Sequence, residues 1–319
     1  MKILIVSPGG ELQKGETRTG NRSTASQWGR LLKDLGHDVE IAPLYRSQTC
    51  DILIALHGKK SKGSMDAYRE ENPDGKLILG LAGTDIYPKP DKVTLEAASL
   101  ADAIIGLQDL APKKIPKKDR DKVHVIRQSA TPCQTAPEKD TSVFTVSVLG
   151  HLRQVKDPLL LAQASRLLPP ESKVLVVQAG DILEEAYEEP VEEELVSNPR
   201  YRYFGELNRE STSRLIAASD LMCLTSINEG GARVVGEAIV NQTPVLSTKM
   251  DGSIGLLGAD YPGYFPVGDA EALSDLLTRC ETDPEFLSLL RDACVKLAPL
   301  FSPECEKEGL DEILSQVTS

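Results

Sequence analysis

Aromatic residues are scarce in this chain, and its charge is strongly negative. Phe, Trp and Tyr make up 4% of the 319 residues, with a single Trp, and the net charge is −12. Proteins that stack on nucleic-acid bases need aromatic side chains, and an acidic protein is repelled by nucleic acids and by anionic membranes. The composition therefore argues against nucleic-acid and membrane partners and favours small-molecule substrates.

The sequence also lacks long apolar runs and closely spaced cysteines. No stretch of about 20 apolar residues occurs, and the chain starts on a strand-like segment, residues 1–7, without a signal peptide. We therefore expect a cytoplasmic protein that does not cross a membrane. The six cysteines, at positions 50, 133, 223, 280, 294 and 305, show no CxxC spacing, which predicts reduced thiols and no zinc site. We expect neither a metal ion nor a cofactor.

Apolar runs of strand length alternate with helical patterns along the chain. Alternating strands and helices form doubly wound parallel sheets. The sequence therefore predicts an α/β protein of two Rossmann-like domains that face each other across a cleft, which is the B-type glycosyltransferase (GT-B) fold. One series of strands is predicted at residues 2–6, 39–42, 52–56, 77–81, 103–107 and 123–127, and a second at 144–149, 174–178, 201–204, 221–225 and 244–247.

The predicted domain boundaries follow from a linker. Residues 129–141 are rich in Pro, Thr and Ser, so we place an N-terminal domain at 1–140 and a C-terminal domain at 141–300. A final helix at 301–319 is expected to pack back on the first domain. Residues 1–140 carry a net charge of +3 and residues 141–319 a net charge of −15. This asymmetry predicts an anion pocket in the first half, although clustered lysines and glutamates are also common on ordinary solvated surfaces.

Two charged elements follow strands of the second series. The loop Gly150-His-Leu-Arg153-Gln-Val-Lys156-Asp-Pro158 follows the strand 144–149, and Glu229-Gly-Gly-Ala-Arg-Val-Val-Gly-Glu237 follows the strand 221–225. Ligands bind where the carboxyl ends of parallel strands meet. Arg153 and Lys156 would there neutralise a diphosphate leaving group, and the glycine pair at a helix start would offer amides to phosphates. A partly desolvated carboxylate needs donors such as sugar hydroxyls. An ordinary βα loop and a capped helix are the alternative interpretations.

Polar residues also follow strands of the first series, and we expect them to gather at one sheet edge. Arg and Lys bind oxyanions, so this set predicts a pocket for an anionic acceptor. A small oxyanion or chalcogenophosphate is already nucleophilic and needs no general base. The set comprises Asn21, Arg22 and Thr24 at a helix start, His57 and Lys59 after the strand 52–56, Thr84 after 77–81, and Arg127 and Ser129 after 123–127.

The second half resembles the family-4 retaining glycosyltransferases. The resemblance rests on the Glu-x7-Glu spacing of Glu229 and Glu237, the Gly–x5–Lys loop that ends at Lys156, and the doubled Rossmann pattern. It implies that Glu237 binds the ribose hydroxyls of a UDP-sugar and that Glu229 contacts the hexose. His151 stands where the family often has Arg. The other donor-site residues that the resemblance implies are Arg153, Lys156, Gly205, Leu207, Gly230, Gly231, Ala232, Gly252 and Ser253.

Longer phrases in a fixed order resemble the selenosugar synthases (SenB) of selenoneine biosynthesis. This resemblance implies that a UDP-sugar, UDP-N-acetylglucosamine or UDP-glucose, reacts with selenophosphate to give a 1-selenosugar, with Arg153, Lys156, Glu229 and His57 as catalytic residues. The chain departs from that family at Arg233, where Asn is expected, and in its lysine-rich acceptor loop. The matching phrases are residues 51–57, Gly83-Thr-Asp-Ile-Tyr87, 128–130, 150–158, Asn198-Pro-Arg-Tyr-Arg202, 229–232 and Tyr261-Pro-Gly-Tyr-Phe-Pro-Val-Gly-Asp269.

Three other functions use the same architecture. A glycosyltransferase with a carbohydrate or lipid acceptor would need an apolar or aromatic acceptor groove, which the sequence does not indicate. A UDP-sugar epimerase or hydrolase would consume the donor without a selenium compound. Because fold does not determine function, the chain could also be a sugar-nucleotide sensor. Such a sensor would keep the donor site and lack an acceptor site.

Overall fold

The apolar runs of the first series pair side by side in one parallel sheet. In the computed structural model, which describes residues 1–10 and 19–319, this six-stranded sheet has the order β2-β1-β3-β4-β5-β6. Its strands are β1 (Lys2–Val6), β2 (Asp38–Ala42), β3 (Ile52–Leu56), β4 (Lys76–Gly80), β5 (Ala103–Gly106) and β6 (Val123–Val125). The helices between them are α1 (Gly20–Asp34), α2 (Gly58–Glu71), α3 (Lys92–Leu100) and α4 (Ala111–Lys114).

The inner strands of this sheet are buried on both faces, which explains why β3 and β5 are continuous apolar runs, whereas the edge strand β2 alternates buried and exposed residues. Ile3 and Ile5 belong to one buried cluster, and Leu4 and Val6 belong to another. Successive residues of a strand point to opposite faces, so a strand covered on both faces needs apolar side chains at every position. The same division separates Ile52 and Ile54 from Leu53 and Ala55 in β3.

The second series forms an equivalent parallel sheet. Over the described residues it has six strands in the order β12-β11-β10-β7-β8-β9. The strands are β7 (Phe144–Leu149), β8 (Val174–Ala179), β9 (Tyr201–Tyr203), β10 (Leu221–Leu224), β11 (Val245–Thr248) and β12 (Tyr264–Phe265). The helices are α5 (Leu160–Arg166), α6 (Glu188–Ser197), α7 (Arg209–Ala218), α8 (Arg233–Val240), α9 (Asp251–Leu257), α10 (Ala270–Thr282) and α11 (Pro284–Leu297).

The last helix, α12 (Pro303–Thr318), belongs with the first sheet. Its carboxylate Glu306 is 1% exposed and accepts hydrogen bonds from Gln27 Nε2 at 2.5 Å and from Trp28 Nε1 at 2.9 Å. Its apolar residues, Leu310, Ile313, Leu314 and Val317, lie in the same buried cluster as Trp28. A buried carboxylate needs such donors, so this contact fixes α12 against α1.

Two units result, and their boundaries differ from the sequence-based ones. The first unit is Met1–Gln128 with Pro303–Ser319, and the second is Ser129–Ser302. The division falls after Gln128 and not at residue 140, because the Pro-rich stretch groups with the second sheet. Assigning α12 to the first unit gives it 22 Lys and Arg against 22 Asp and Glu, and leaves 14 against 26 in the second. The positive first half that the sequence predicts is therefore neutral as a folded unit.

Some element bounds were not anticipated by the sequence pattern. The helical pattern of residues 64–71 predicts a helix that begins at Ser64. Helix α2 instead begins six residues earlier, at Gly58, because the buried Asp85 carboxylate accepts the Gly58 N–H at 3.0 Å. The two-residue strand β12 was not predicted. The sequence also predicts a glycine-containing loop between the first strand and the helix that starts near Asn21. Residues 11–18 of that loop lie outside the described residues. None of the helices in the described part of the chain is long and apolar enough to span a membrane.

Candidate functional site

An ion pair joins the two charged elements of the second unit. Strands β7 and β10 are neighbours, so the loops that follow them meet at the carboxyl edge of the sheet. There Lys156 Nζ pairs with Glu229 Oε1, and Ser226 Oγ donates a hydrogen bond to the same oxygen at 2.8 Å. The side chains are 22% and 14% exposed, so this pair is screened less by solvent than a surface pair.

Main-chain contacts hold these two loops in register. Thr225 Oγ1 donates to the Lys156 carbonyl, and the Ile227 N–H donates to the Val155 carbonyl, both at 2.9 Å. On the other side, Thr248 Oγ1 at the end of β11 donates to the Ser226 carbonyl at 2.6 Å. The Lys156–Glu229 pair is therefore positioned by three adjacent strand ends, which is the rigid support that a binding site needs.

Gly252 allows helix α9 to approach Glu229 closely. A Cβ atom on Gly252 would lie 2.2 Å from the Glu229 carbonyl oxygen and 2.9 Å from the carbonyl carbon. Backbone atoms cannot give way as a flexible side chain does, so any other residue would displace the Glu229 loop. The sequence places Gly252 among the donor-site residues, and the structure gives it a supporting position behind Glu229.

The glycine pair lies before helix α8 and not within it. The first helical residue is Arg233 and the N-cap is Ala232, whose methyl group offers no acceptor to the first-turn N–H groups. Gly230 and Gly231 therefore form the approach to the helix, which corrects the expectation that they stand at its start. Ala232 thus makes no side-chain cap hydrogen bond to the first turn of α8, and the N-terminus of a helix favours an anion.

Glu237 is paired within α8. Arg233 Nε lies 3.3 Å from Glu237 Oε1, one helical turn away, and the two side chains are 22% and 18% exposed. In the described residues no hydrogen bond reaches the second oxygen, Oε2. The carboxylate predicted to bind ribose thus has one oxygen on a guanidinium and one available.

Within the described residues, Arg153 differs from Lys156 in having no acidic partner. In residues 1–10 and 19–319 it forms no ion pair, and its Nε is buried without a hydrogen-bond partner. The neighbouring His151 accepts the Asp181 N–H on Nδ1 at 3.1 Å, so its ring is tied to the loop after β8. Arg153 is therefore the cation of this loop that is not already neutralised by a carboxylate.

The remaining donor-site predictions fall into two groups. Gly205 follows β9 with φ +63°, and its carbonyl accepts the Gly180 N–H at 2.8 Å, while Leu207 packs partly buried on the core. These two residues lie at the same carboxyl edge as Gly150. Ser253 is fully buried and its Oγ shares a hydrogen bond of 2.7 Å with Ser247 Oγ. The Ser253 hydroxyl is therefore occupied inside the unit.

His57 is buried at the end of β3 in an unusual backbone conformation. Its φ is +69° and its side chain is the N-cap of α2, with Nδ1 accepting the Lys60 N–H at 3.4 Å. Nε2 lies 3.0 Å from the hydroxyl of the exposed residue Thr84. Because Nδ1 accepts, the proton of the neutral ring is on Nε2, which donates to Thr84 Oγ1.

Burial also lowers the pKa of His57, partly opposed by the nearby Asp85 carboxylate. The ring is therefore neutral near pH 7, and His57 contributes no positive charge to an anion pocket. Positive φ values in residues other than glycine cost free energy and occur at functional sites, so the strain here is consistent with a positioning role.

The other predicted acceptor residues are only partly available to a ligand. Lys59 pairs with Asp91 at 2.9 Å, and Arg127 pairs with Asp109 at 2.6 Å. Thr24 donates its hydroxyl to the Gly20 carbonyl at 2.9 Å and accepts from Gln128 Nε2 at 2.6 Å. The expectation that these residues form a strongly cationic pocket is therefore corrected, because acids neutralise two of the cations.

The last three predicted acceptor residues to be placed are Arg22, Asn21 and Ser129. The side chain of Arg22 lies against Gly9 in the loop after β1, where a Cβ on Gly9 would lie 3.3 Å from Arg22 Cδ. Asn21 is half-buried at the start of α1. Ser129 is buried and belongs to the second unit, so it does not share a unit with the others.

Sequence reasoning missed the residues that organise these sites. Ser226 orients Glu229, and the buried Asp85 caps α2 while accepting the Ala82 N–H at 3.0 Å. Arg233 is the partner of Glu237. The i,i+4 spacing of Arg233 and Glu237 was a readable signal for that pair, whereas the roles of Ser226 and Asp85 depend on contacts between different loops.

A pair of parallel six-stranded sheets with helices, each with polar residues gathered after its strands, is the architecture of the GT-B glycosyltransferases. A family model described as glycosyl transferases group 1 matches residues 134–297, just over half of the chain, and the chain belongs to this family. The predicted fold class and the glycosyltransferase class are thereby confirmed.

Solved structures show the same fold over the whole chain. HepE from Anabaena, in complex with UDP and glucose, is 18% identical with a TM-score of 0.75 and covers 99% of this chain and 100% of its own. Sucrose-phosphate synthase from Thermosynechococcus elongatus is 14% identical with a TM-score of 0.80 and 99% coverage of both chains. A glycosyltransferase from Rickettsia africae is 18% identical with a TM-score of 0.75, covering 100% and 98%.

Proposed function

We propose that this glycosyltransferase moves the sugar of a UDP-sugar, UDP-N-acetylglucosamine or UDP-glucose, onto selenophosphate. The bond from the anomeric carbon to the β-phosphate oxygen breaks, UDP leaves with the electron pair, and selenium forms the new C–Se bond. Water then cleaves the Se–P bond, which releases inorganic phosphate and gives the 1-selenosugar. No oxidant or reductant is needed.

The observation that carries the donor half of this proposal is the Lys156–Glu229 pair with Arg153 beside it. Glu229, fixed by Ser226 and backed by Gly252, is placed to orient the hexose. Lys156 and Arg153 stand in one loop, and a departing diphosphate gains most from positive groups that are already in place. Glu237 has one oxygen available for a ribose hydroxyl. That HepE, which shares the fold, is known in complex with UDP-glucose supports UDP as the nucleotide.

The acceptor half of the proposal rests on Arg22 and Thr84 together with the resemblance to selenosugar synthases. Arg22 supplies the fork of donors that suits a phosphate-like anion. Thr84 Oγ1 accepts a hydrogen bond from the His57 Nε2–H group. The hydroxyl hydrogen of Thr84 is therefore directed away from the ring, where a ligand can accept it. His57 thus acts through Thr84 and not as a general base. Selenophosphate is already an anionic nucleophile, and it needs no such base.

A reaction with defined components tests this function. The chain is incubated with UDP-N-acetylglucosamine or UDP-glucose, with and without selenophosphate, and UDP, phosphate and sugar masses are followed. We expect UDP and phosphate in equal amounts and a selenosugar mass only when selenophosphate is present. A thiophosphate arm measures selectivity, because sulfur and selenium analogues differ little in size. UDP release that ignores both anions would contradict the proposal.

A neutral carbohydrate acceptor is the second candidate, and one observation favours it. Asp91 and Asp109 neutralise Lys59 and Arg127, so the first unit offers less positive charge than its sequence indicates. Sugar and sugar-phosphate acceptors added in place of selenophosphate distinguish the two functions by the mass of the product. Loss of UDP-sugar with no acceptor present would instead identify a hydrolase or an epimerase.

A further inference from the structure

Each glutamate of the donor site is matched by its own cation. Lys156 pairs with Glu229 from a neighbouring loop, and Arg233 pairs with Glu237 from the same helix. The second pair is partly buried, with its members 22% and 18% exposed.

The Arg233–Glu237 pair places a positive charge beside a carboxylate that would otherwise repel a diphosphate. A donor site for a nucleotide-sugar must hold a carboxylate for the ribose close to a diphosphate, and like charges at close range repel each other. The second unit adds to the problem, since it holds 26 acidic against 14 basic residues. Arg233 is the first residue of α8, where the helix dipole favours an anion, and its side chain pairs with the Glu237 carboxylate one turn later.

We propose that Arg233 is the counter-ion that lets the site bind a diphosphate beside Glu237, so that it sets affinity according to the charge of the nucleotide. This inference rests on the proposed UDP-sugar donor. Arg233 holds Oε1 of Glu237, and Oε2 is left for one ribose hydroxyl. Arg233 is a positioning and charge-balancing residue, and Glu237 makes the contact with the ligand.

The alternative is an ordinary i,i+4 pair that supports the helix and does nothing else. Such a pair contributes little to stability and has no reason to distinguish charged from neutral ligands. The two interpretations therefore differ in one measurable property, which is how the effect of removing Arg233 depends on the number of phosphates in the ligand.

Calorimetric titration of Arg233→Leu with uridine, UMP and UDP measures that property. Relative to wild type, we expect uridine affinity to change less than about twofold, UMP affinity to fall several-fold, and UDP affinity to fall roughly tenfold or more. Arg214→Leu is the matched control, because it removes the same charge from an exposed arginine of α7 in the same unit. It should leave the three affinities close to those of wild type.

Three further variants keep the test decisive. Arg233→Lys retains a cation and should keep most of the UDP affinity, and Arg233→Gln replaces Arg233→Leu if the latter does not fold. Adding Glu237→Gln to Arg233→Leu removes the unbalanced charge, so UDP affinity should partly recover while uridine weakens. An equal loss for uridine and UDP, or no loss for either, would overturn the counter-ion role. A wild-type chain that binds no UDP would instead refute the proposed donor.

Discussion

At the scale of single residues, Lys156 both orients Glu229 and stands beside a proposed leaving group. We expect Lys156→Ala to lower kcat/KM by about 10²–10³, because removing one charge-stabilising donor from an active site typically costs that much. Expressed as free energies, the loss of kcat/KM should exceed the change in the free energy of unfolding measured with urea. Lys173→Ala is a suitable control, since this exposed lysine lies at the other end of the same sheet. Unchanged kcat/KM would remove Lys156 from the site.

His57 gives the first unit a pH-dependent stability. Burial lowers the pKa of His57 below its ordinary value of about 6.5, so below that pH the unfolded chain takes up a proton before the folded chain does. This contribution to stability is complete above pH 6.5 and is lost as the pH falls through the folded pKa. His57→Gln cannot titrate, and we expect it to lose less stability than wild type between pH 7.5 and 5.5.

Urea unfolding of both proteins at the two pH values checks this sign. For each protein, the change in the free energy of unfolding between the two pH values is measured, and these two changes are compared. Carboxylates elsewhere titrate equally in both proteins, so their contribution cancels. A change that is the same in wild type and His57→Gln would show that the ring is exposed to protons in the folded chain.

At the scale of secondary-structure elements, the β11–α9 connection is constrained by Gly252. Gly252→Ala would place a methyl group 2.2 Å from the Glu229 carbonyl oxygen, so the Glu229 loop must move. We expect donor affinity to fall at least tenfold while the far-ultraviolet circular dichroism stays unchanged. Gly63→Ala is the matched glycine control, because its Cβ meets no atom within 4 Å on helix α2. Full donor affinity in Gly252→Ala would show that the loop adapts freely.

The elements themselves could be read from the sequence, but their partners could not. β1, β3 and β7 have the predicted bounds because each is a mostly buried, predominantly apolar run that ends at a turn signal. Helix α2 began earlier than its apolar pattern because Asp85, from another loop, caps it. Likewise the neutral state of His57 and the pairing of Lys59 with Asp91 depend on residues far away in sequence. Candidate positions were predictable, whereas their charge balance was not.

At the scale of the whole molecule, the first unit is built from two separate parts of the chain. Helix α12 supplies Glu306 and a row of apolar residues to the core around Trp28. A chain that ends at Ser302 lacks these contacts, and several buried apolar side chains contribute about 1.5–3 kcal/mol each. We expect its first unit to unfold at a much lower urea concentration than in the full chain.

The second unit should be little affected by that truncation, since Ser129–Ser302 is intact. Trp28, the single tryptophan, reports unfolding of the first unit by fluorescence, and binding of the proposed nucleotide UDP would report the second. Glu306→Gln in the full chain should reproduce part of the loss, with the exposed Glu304→Gln as its control. Equal fluorescence midpoints in the full and shortened chains would show that α12 is dispensable.

The place of α12 in the chain also bears on synthesis at the ribosome. Its residues are translated after both sheets, so Gln27 and Trp28 emerge some 280 codons before the carboxylate that satisfies them. Throughout that interval the apolar surface around Trp28, which α12 covers in the folded chain, is exposed on the nascent polypeptide. The second unit, Ser129–Ser302, is by contrast complete in sequence before α12 is translated. Chaperone binding to the growing chain should therefore concentrate on the amino-terminal segment and end when the final helix leaves the exit tunnel.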